Sequence, residues 1–123
     1  MTQPNIVNVS SIKGETRCQH LLTSSSTPLA ENASASGKVY KVNSLLVANV
    51  DGLNAATVDV YVVRGTTNTG TFYICKSLTV PASSTLDVLS GSIYLEENDN
   101  ISAVASATGD LDATVSYEVL DDA

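Results

Sequence analysis

His20 is the single histidine of the chain, and Cys18 stands two residues before it. In an extended strand, residues i and i+2 share a face, so the thiol and the imidazole would lie side by side. With a third group to orient the imidazole, that pair is the kernel of a nucleophilic hydrolase. The sequence supplies little else for that chemistry. There is no Gly-x-Ser-x-Gly elbow, and no helix start precedes Cys18 to lower its thiol pKa. His20 is read as an ordinary strand histidine, and the chain is expected not to be an enzyme.

Other reactive groups are similarly bare. Cys18 and Cys75 are 57 residues apart and form no Cys-x-x-Cys, and one histidine cannot complete a metal site around them. They are expected to be two separate small core residues. The alternative is a disulfide stapling an N-terminal arm to a central strand. Glu96, Glu97 and Asp99 could offer oxygens to Ca²⁺, but their spacing does not match an EF-hand loop. A solvated acidic turn is the expectation there, and no cofactor is expected anywhere. Asn8-Val9-Ser10, Asn32-Ala33-Ser34 and Asn100-Ile101-Ser102 match the glycosylation triplet, as chance alone would produce in so Ser- and Thr-rich a chain. A saccharide platform is usually an exposed Trp or Tyr; there is no Trp, and the five Tyr mostly fall within strands.

The elements that would position these residues follow a period of two. From Leu111 to Val119, Leu111, Ala113, Val115, Tyr117 and Val119 alternate with Asp112, Thr114, Ser116 and Glu118. One side of such a strand enters a core and the other meets water. Further strands are expected over Thr16–Thr23, Leu29–Asn32, Lys38–Val50, Thr57–Arg64, Thr71–Val80, Thr85–Leu89, Ile93–Leu95 and Ile101–Ala107, with a first short strand or arm over Asn5–Val9. Lys38–Val50 carries apolar residues on both faces around Leu45–Val47, which implies cover on both sides. Turn signals at Ser24–Pro28, Asp51-Gly52, Gly65–Gly70, Pro81–Ser84 and Thr108–Asp110 separate the strands. About eight strands at this spacing predict an all-β, two-sheet antiparallel sandwich, either jelly-roll or immunoglobulin-like. Val58, Val60, Val62, Phe72, Ile74, Leu111, Val115 and Tyr117 are the expected interior.

A chain of 123 residues holds one domain. Residues 1–15 read as an arm or edge strand, and 16–123 as the sandwich. A domain of this size hides roughly two-thirds of its unfolded surface, so a light aliphatic core suffices. The net charge of −7 is uneven. From Asp87 onward there are nine acids and no Lys or Arg, whereas the first 86 residues carry six bases and four acids. Nucleic acid is excluded as a partner, since phosphate would be repelled by the last third. The opening Met-Thr-Gln-Pro-Asn lacks the basic and apolar regions of a signal peptide, and no run of 18 apolar residues offers a membrane span. Synthesis in a reducing cytoplasm is the expectation, and it argues against a disulfide.

Three passages resemble a known class. They are Asn8–Thr16 (NVSSIKGET), Gly37–Gly52 (GKVYKVNSLLVANVDG), and Leu95–Ala103 (LEENDNISA) running into Val115-Ser116-Tyr117-Glu118. In this order they resemble small β-sandwich virion proteins of tailed bacteriophages, especially cyanophage capsid decoration (cement) proteins. The resemblance implies a structural role in the virion: capsid decoration, or a tail, neck or fibre module. The alternative to decoration is such a module binding a host glycan. The resemblance implies no catalytic residues. The expected partner is a phage major capsid protein or another virion protein. A homo-oligomer is also expected, with a trimer favoured. The expected location is the virion, after synthesis in the host bacterial cytoplasm. The interface is expected at Ile6, Val7 and Val9 in the uncharged arm, at Tyr40 and Leu46, and at the acids Glu96, Glu97, Asp121 and Asp122.

Overall fold

The computed structural model describes residues 9–23 and 26–121. Ile6, Val7, Asp122 and most of the Asn5–Val9 strand lie outside them; Val9 is described, half-buried and outside any strand. The described residues form nine strands and no helix. These are β1 (Ser11–His20), β2 (Thr27–Glu31), β3 (Lys38–Asn49), β4 (Ala56–Arg64), β5 (Gly70–Val80), β6 (Thr85–Asp87), β7 (Ile93–Leu95), β8 (Asn100–Ala105) and β9 (Leu111–Asp121).

All pairings are antiparallel. The first sheet runs β1-β9-β3-β6, with β7 also on β3, and the second runs β2-β8-β4-β5. The partners nest: β1 with β9, β2 with β8, β3 with β6 and β7, β4 with β5. That nesting is the jelly-roll, the first of the two connectivities left open by the pattern. β6 and β7 act as one broken strand, lying against Leu46–Ala48 and Tyr40–Val42 respectively.

Two sheets pack because each has one apolar face that water would otherwise wet. β9 turns Leu111, Ala113, Val115, Tyr117 and Val119 inward, and β3 adds Val42, Leu45 and Val47. Leu29, Val58, Val60, Val80, Ile101, Ala103 and Ala105 answer from the second sheet. The core is Val, Leu and Ala, as the composition requires.

Three expectations are corrected here. β3 carries apolar residues on both faces around Leu45–Val47, but the cover expected over the outer one is missing. Its pairing with β9 slips between Val42 and Ser44, so Asn43 is an extra residue that moves the inward set from even to odd numbers. Leu45 and Val47 point in, and Leu46 points out at 38% exposure. Phe72 is not interior: it sits on the edge strand β5 and is 47% exposed, with Val62 and Ile74 half-buried nearer the core. The first strand lies at Ser11–His20, not Thr16–Thr23. Nearly all of β1 is exposed on both faces, so its sequence carries no apolar period to read. The expected boundary after residue 15 falls inside β1.

Val115 is 1% exposed and sits opposite Leu45. An unpaired charge there costs several kcal/mol, a large part of the roughly 5–15 kcal/mol that holds a domain together. Val115→Asp is expected to abolish the cooperative thermal transition followed by far-ultraviolet circular dichroism. A soluble variant that still melts cooperatively would put Val115 on the wrong face.

Candidate functional site

Cys18 and His20 do share a face, the outer face of the first sheet. The register sets Cys18 opposite Thr114 and His20 opposite Asp112 on β9. His20 Nδ1 lies 2.6 Å from Asp112 Oδ1. The Cys18 sulfur instead accepts the Thr114 hydroxyl at 3.7 Å. A hydrolase needs its thiol in contact with the base; here the imidazole is held by Asp112 and stands in solvent. The arrangement is a solvated surface hydrogen-bonded pair beside an exposed thiol.

The two cysteines are both free. Cys18 is exposed, which corrects its expected place in the core. Cys75 is partly buried against the core, its sulfur 3.8 Å from the Val58 carbonyl oxygen. Burial pushes its thiol pKa up. Their strands, β1 and β5, are edges of different sheets, so no staple joins arm to centre.

The acids between β7 and β8 are not a solvated turn. Asp99 is 1% exposed. Its carboxylate accepts the Glu96 amide at 2.9 Å and the Gly65 amide at 3.3 Å. Arg64 Nε lies 3.0 Å from Asp99 Oδ2, off the N–H axis, so that contact is ionic and not a directed hydrogen bond. The same guanidinium reaches Glu96 Oε2 at 2.6 Å, while Glu97 accepts the Gly37 amide at 2.7 Å. Asn32, 2% exposed, donates to the Lys38 and Leu95 carbonyls and accepts from Ser36. The network clamps the β2–β3, β4–β5 and β7–β8 loops into one end of the sandwich. It uses the oxygens that a Ca²⁺ ion would need, and it hides the amide of the Asn32 triplet. Gly65 is required there, since a Cβ would overlap the Asn98 carbonyl oxygen. Sequence reasoning missed Arg64; its only signal is a lone base at a strand end opposite an acidic loop.

The other end is tied as well: the Thr23 and Thr108 hydroxyls lie 2.9 Å apart, and the Val50 amide donates to the Asp110 carbonyl at 2.8 Å. Asn49, 3% exposed, donates to the Asn54 and Val80 carbonyls and accepts the Asp51 amide. Asp51 in turn accepts the Leu53 amide at 2.8 Å. This fixed turn holds Leu53 outward at 89% exposure, with Val50 and Leu22 also exposed at the same end.

Two tyrosine pairs mark the flanks. Tyr40 and Tyr117 stack 5.1 Å apart at 12° where the core meets the β1 edge. Glu15 of β1 stands opposite Tyr117. On the outer face of the second sheet, Tyr61 and Tyr73 lie 5.2 Å apart, tilted 55°. Lys76 sits 4.7 Å over the Tyr73 ring and 3.4 Å from Asp59.

The residues expected at the interface are not gathered into one patch. Leu46 is on the outer face of the first sheet, and Tyr40 is half-buried in its stack. Glu96 and Glu97 belong to the closed-end network. The Asp121 carbonyl accepts both the amide and the hydroxyl of Ser10, at 2.9 and 3.0 Å, next to Val9.

No protein-family model matches the sequence, and no curated protein does. Among solved structures, the chain is similar to one from Bacillus endospore appendages, described as a novel family of disulfide-linked pili. The identity is 11% and the TM-score 0.54, with 100% of each chain covered. It also aligns with chains of infectious bursal disease virus: the Gx strain at 8% identity and a TM-score of 0.49, and the VP2 subviral particle at 11% and 0.47. The chain spans about a third of those two, 34% and 33% of their lengths. At 11% identity the Bacillus likeness establishes a shared fold.

Removing one partner of a buried ion pair costs about 3–5 kcal/mol. Arg64 is partly exposed, so Arg64→Leu is expected at the lower end, near ~3 kcal/mol, in urea denaturation. Adding Asp99→Asn should recover part of the loss, because an amide needs no counter-ion.

The Tyr117 hydroxyl is pushed up to about 12, by burial first and then by the Glu15 carboxylate. Tyr40 is raised too, again chiefly by burial. A folded pKa above the unfolded value of about 10 favours the neutral phenol in the fold. That stability is fully present below pH 10 and is lost as pH rises through about 12. Thermal midpoints measured from pH 9 upward should fall across this window, and Tyr117→Phe should flatten the fall.

Proposed function

We propose that the protein is a structural subunit of a tailed-phage virion, acting as a capsid decoration (cement) protein on the major capsid lattice. The observation that carries this reading is one end of the jelly-roll, where a turn fixed by Asn49 and Asp51 holds Leu53 out in water and Val50 and Leu22 are also exposed. A free domain gains nothing from that display; a subunit seated on a lattice does. The three passages that resemble cyanophage decoration proteins support the same role. So does a fold shared with a chain of the Bacillus pili.

Such a protein binds only the assembled shell and stabilises it by mass action. It works as a homo-oligomer. Residues 1–11 carry no charge and include Ile6, Val7 and Val9; Ser10 and Ser11 meet Asp121 of the same chain, and the residues before them add a strand or arm to a neighbouring subunit through main-chain hydrogen bonds. The acidic last third faces a basic partner surface or solvent, never DNA. A second reading, a tail, neck or fibre module that binds a host glycan, draws on the Tyr61–Tyr73 pair beside Lys76 and Asp59.

The test mixes purified protein with heads and, separately, with tails of the phage that encodes it. Full-length protein is expected to co-sediment with heads and to raise their disruption temperature. A chain lacking residues 1–11 should stay folded yet fail to bind. Binding to tails alone would favour the second reading, and unfolding of the truncated chain would assign the arm to its own core.

A further inference from the structure

We infer that β1 is a homodimer interface. Two copies pair antiparallel through their outer β1 edges, centred on Thr16, and extend the first sheet across a two-fold axis.

The backbone comes first. Among the described residues β1 pairs with β9 alone. The Leu21 amide donates to the Leu111 carbonyl at 2.9 Å, in step with the pairing of His20 to Asp112. Antiparallel alternation then points the amides and carbonyls of Ile12, Gly14, Thr16, Cys18 and His20 away from β9. β1 is exposed along nearly its whole length, so the second sheet does not shield this row.

Charge selects the occupant. The side chains that alternate with the outward row include Lys13, Glu15 and Arg17. Such charges on an edge repel a neutral or apolar strand. A second β1 running antiparallel meets them in kind. Centred on Thr16, it sets Glu15 opposite Arg17 of the second copy, and Arg17 opposite Glu15. These are the non-hydrogen-bonded positions, where side chains approach most closely. Thr16 meets Thr16 on the other face, a favourable cross-strand pair. Centring on Glu15 would oppose Glu15 to itself and Lys13 to Arg17. Centring on Arg17 would oppose two guanidinium groups. Centring on Gly14 restores a Lys13–Glu15 match but shortens the ladder and leaves Arg17 opposite Ser11. The charge pattern thus picks both the partner, a second copy, and the register.

This interface is independent of any capsid, so it can fail while the virion reading stands, and the reverse. Sedimentation equilibrium on the full chain is expected to give twice the 12.8 kDa monomer mass. Thr16→Pro should yield a monomer that still melts cooperatively, because the lost amide points away from β9, with a midpoint that no longer depends on protein concentration. Glu15→Arg alone should weaken the dimer about tenfold or more through like-charge repulsion, and Glu15→Arg with Arg17→Glu should restore it. A Cβ at Gly14 would meet nothing within 4 Å. Gly14→Cys should therefore cross-link to Cys18 of the second copy on mild oxidation, giving a dimer band that Cys18→Ser removes. A monomer or trimer mass with no cross-link, or a charge swap that fails to rescue, would overturn the proposal.

Discussion

Burying the carboxylate of Asp99 is the constraint around which the closed end is arranged. An isolated carboxylate cannot be taken out of water at a cost a small domain can bear. It must bring a guanidinium and amide donors with it. Arg64 at the end of β4 supplies the first, and the Gly65 and Glu96 amides supply the second. Meeting that demand fixes where the β4–β5 loop stands relative to the β7–β8 turn. The Asn32 amide and carbonyl then tie the β2–β3 loop to the same turn. Two crossings between sheets and the β4–β5 hairpin are thereby held at one level, which keeps the register of β3 against β9 and of β4 against β8 from drifting.

Much of the fold was legible because long stretches of the strands obey a period of two. β9 is the clearest case: its inward and outward sets match the alternation from Leu111 to Val119. β3 was harder, because one extra residue at Asn43 reverses which numbers face the core. A reader of periodicity sees apolar residues on both faces where there is a bulge. β5 failed at Phe72 because β4 and β5 slip twice in register and because an edge strand lacks cover beyond it. β1 carried no signal, since exposure on both faces leaves nothing for hydrophobicity to report. The Arg64–Asp99 contact was invisible for a different reason. It joins residues far apart in the chain, and no local rule says which base will reach which acid.

The same contrast separates the two kinds of acid in the last third. Asp99 and Glu96 are structural and spend their charge inside the protein. Asp112 and Glu118 lie on the outer face of the first sheet, where Asp112 meets His20 and Glu118 meets the Asn43 amide at 3.1 Å. The net charge of the segment therefore overstates what a partner would feel.

The nested pairing also dictates an order of events as the chain leaves the ribosome. β4 and β5 can close as a hairpin at once. Among the described residues β1 has no β-sheet partner until β9 appears, and β9 also fills the gap between β1 and β3. Residues 11–20 must therefore wait, extended and unpaired, until residues 111–121 have been made. Pairings this distant fold slowly and leave strands exposed meanwhile. The charges of β1, on this view, guard the nascent chain as much as the finished one, keeping the earliest strand from a wrong partner before its own arrives.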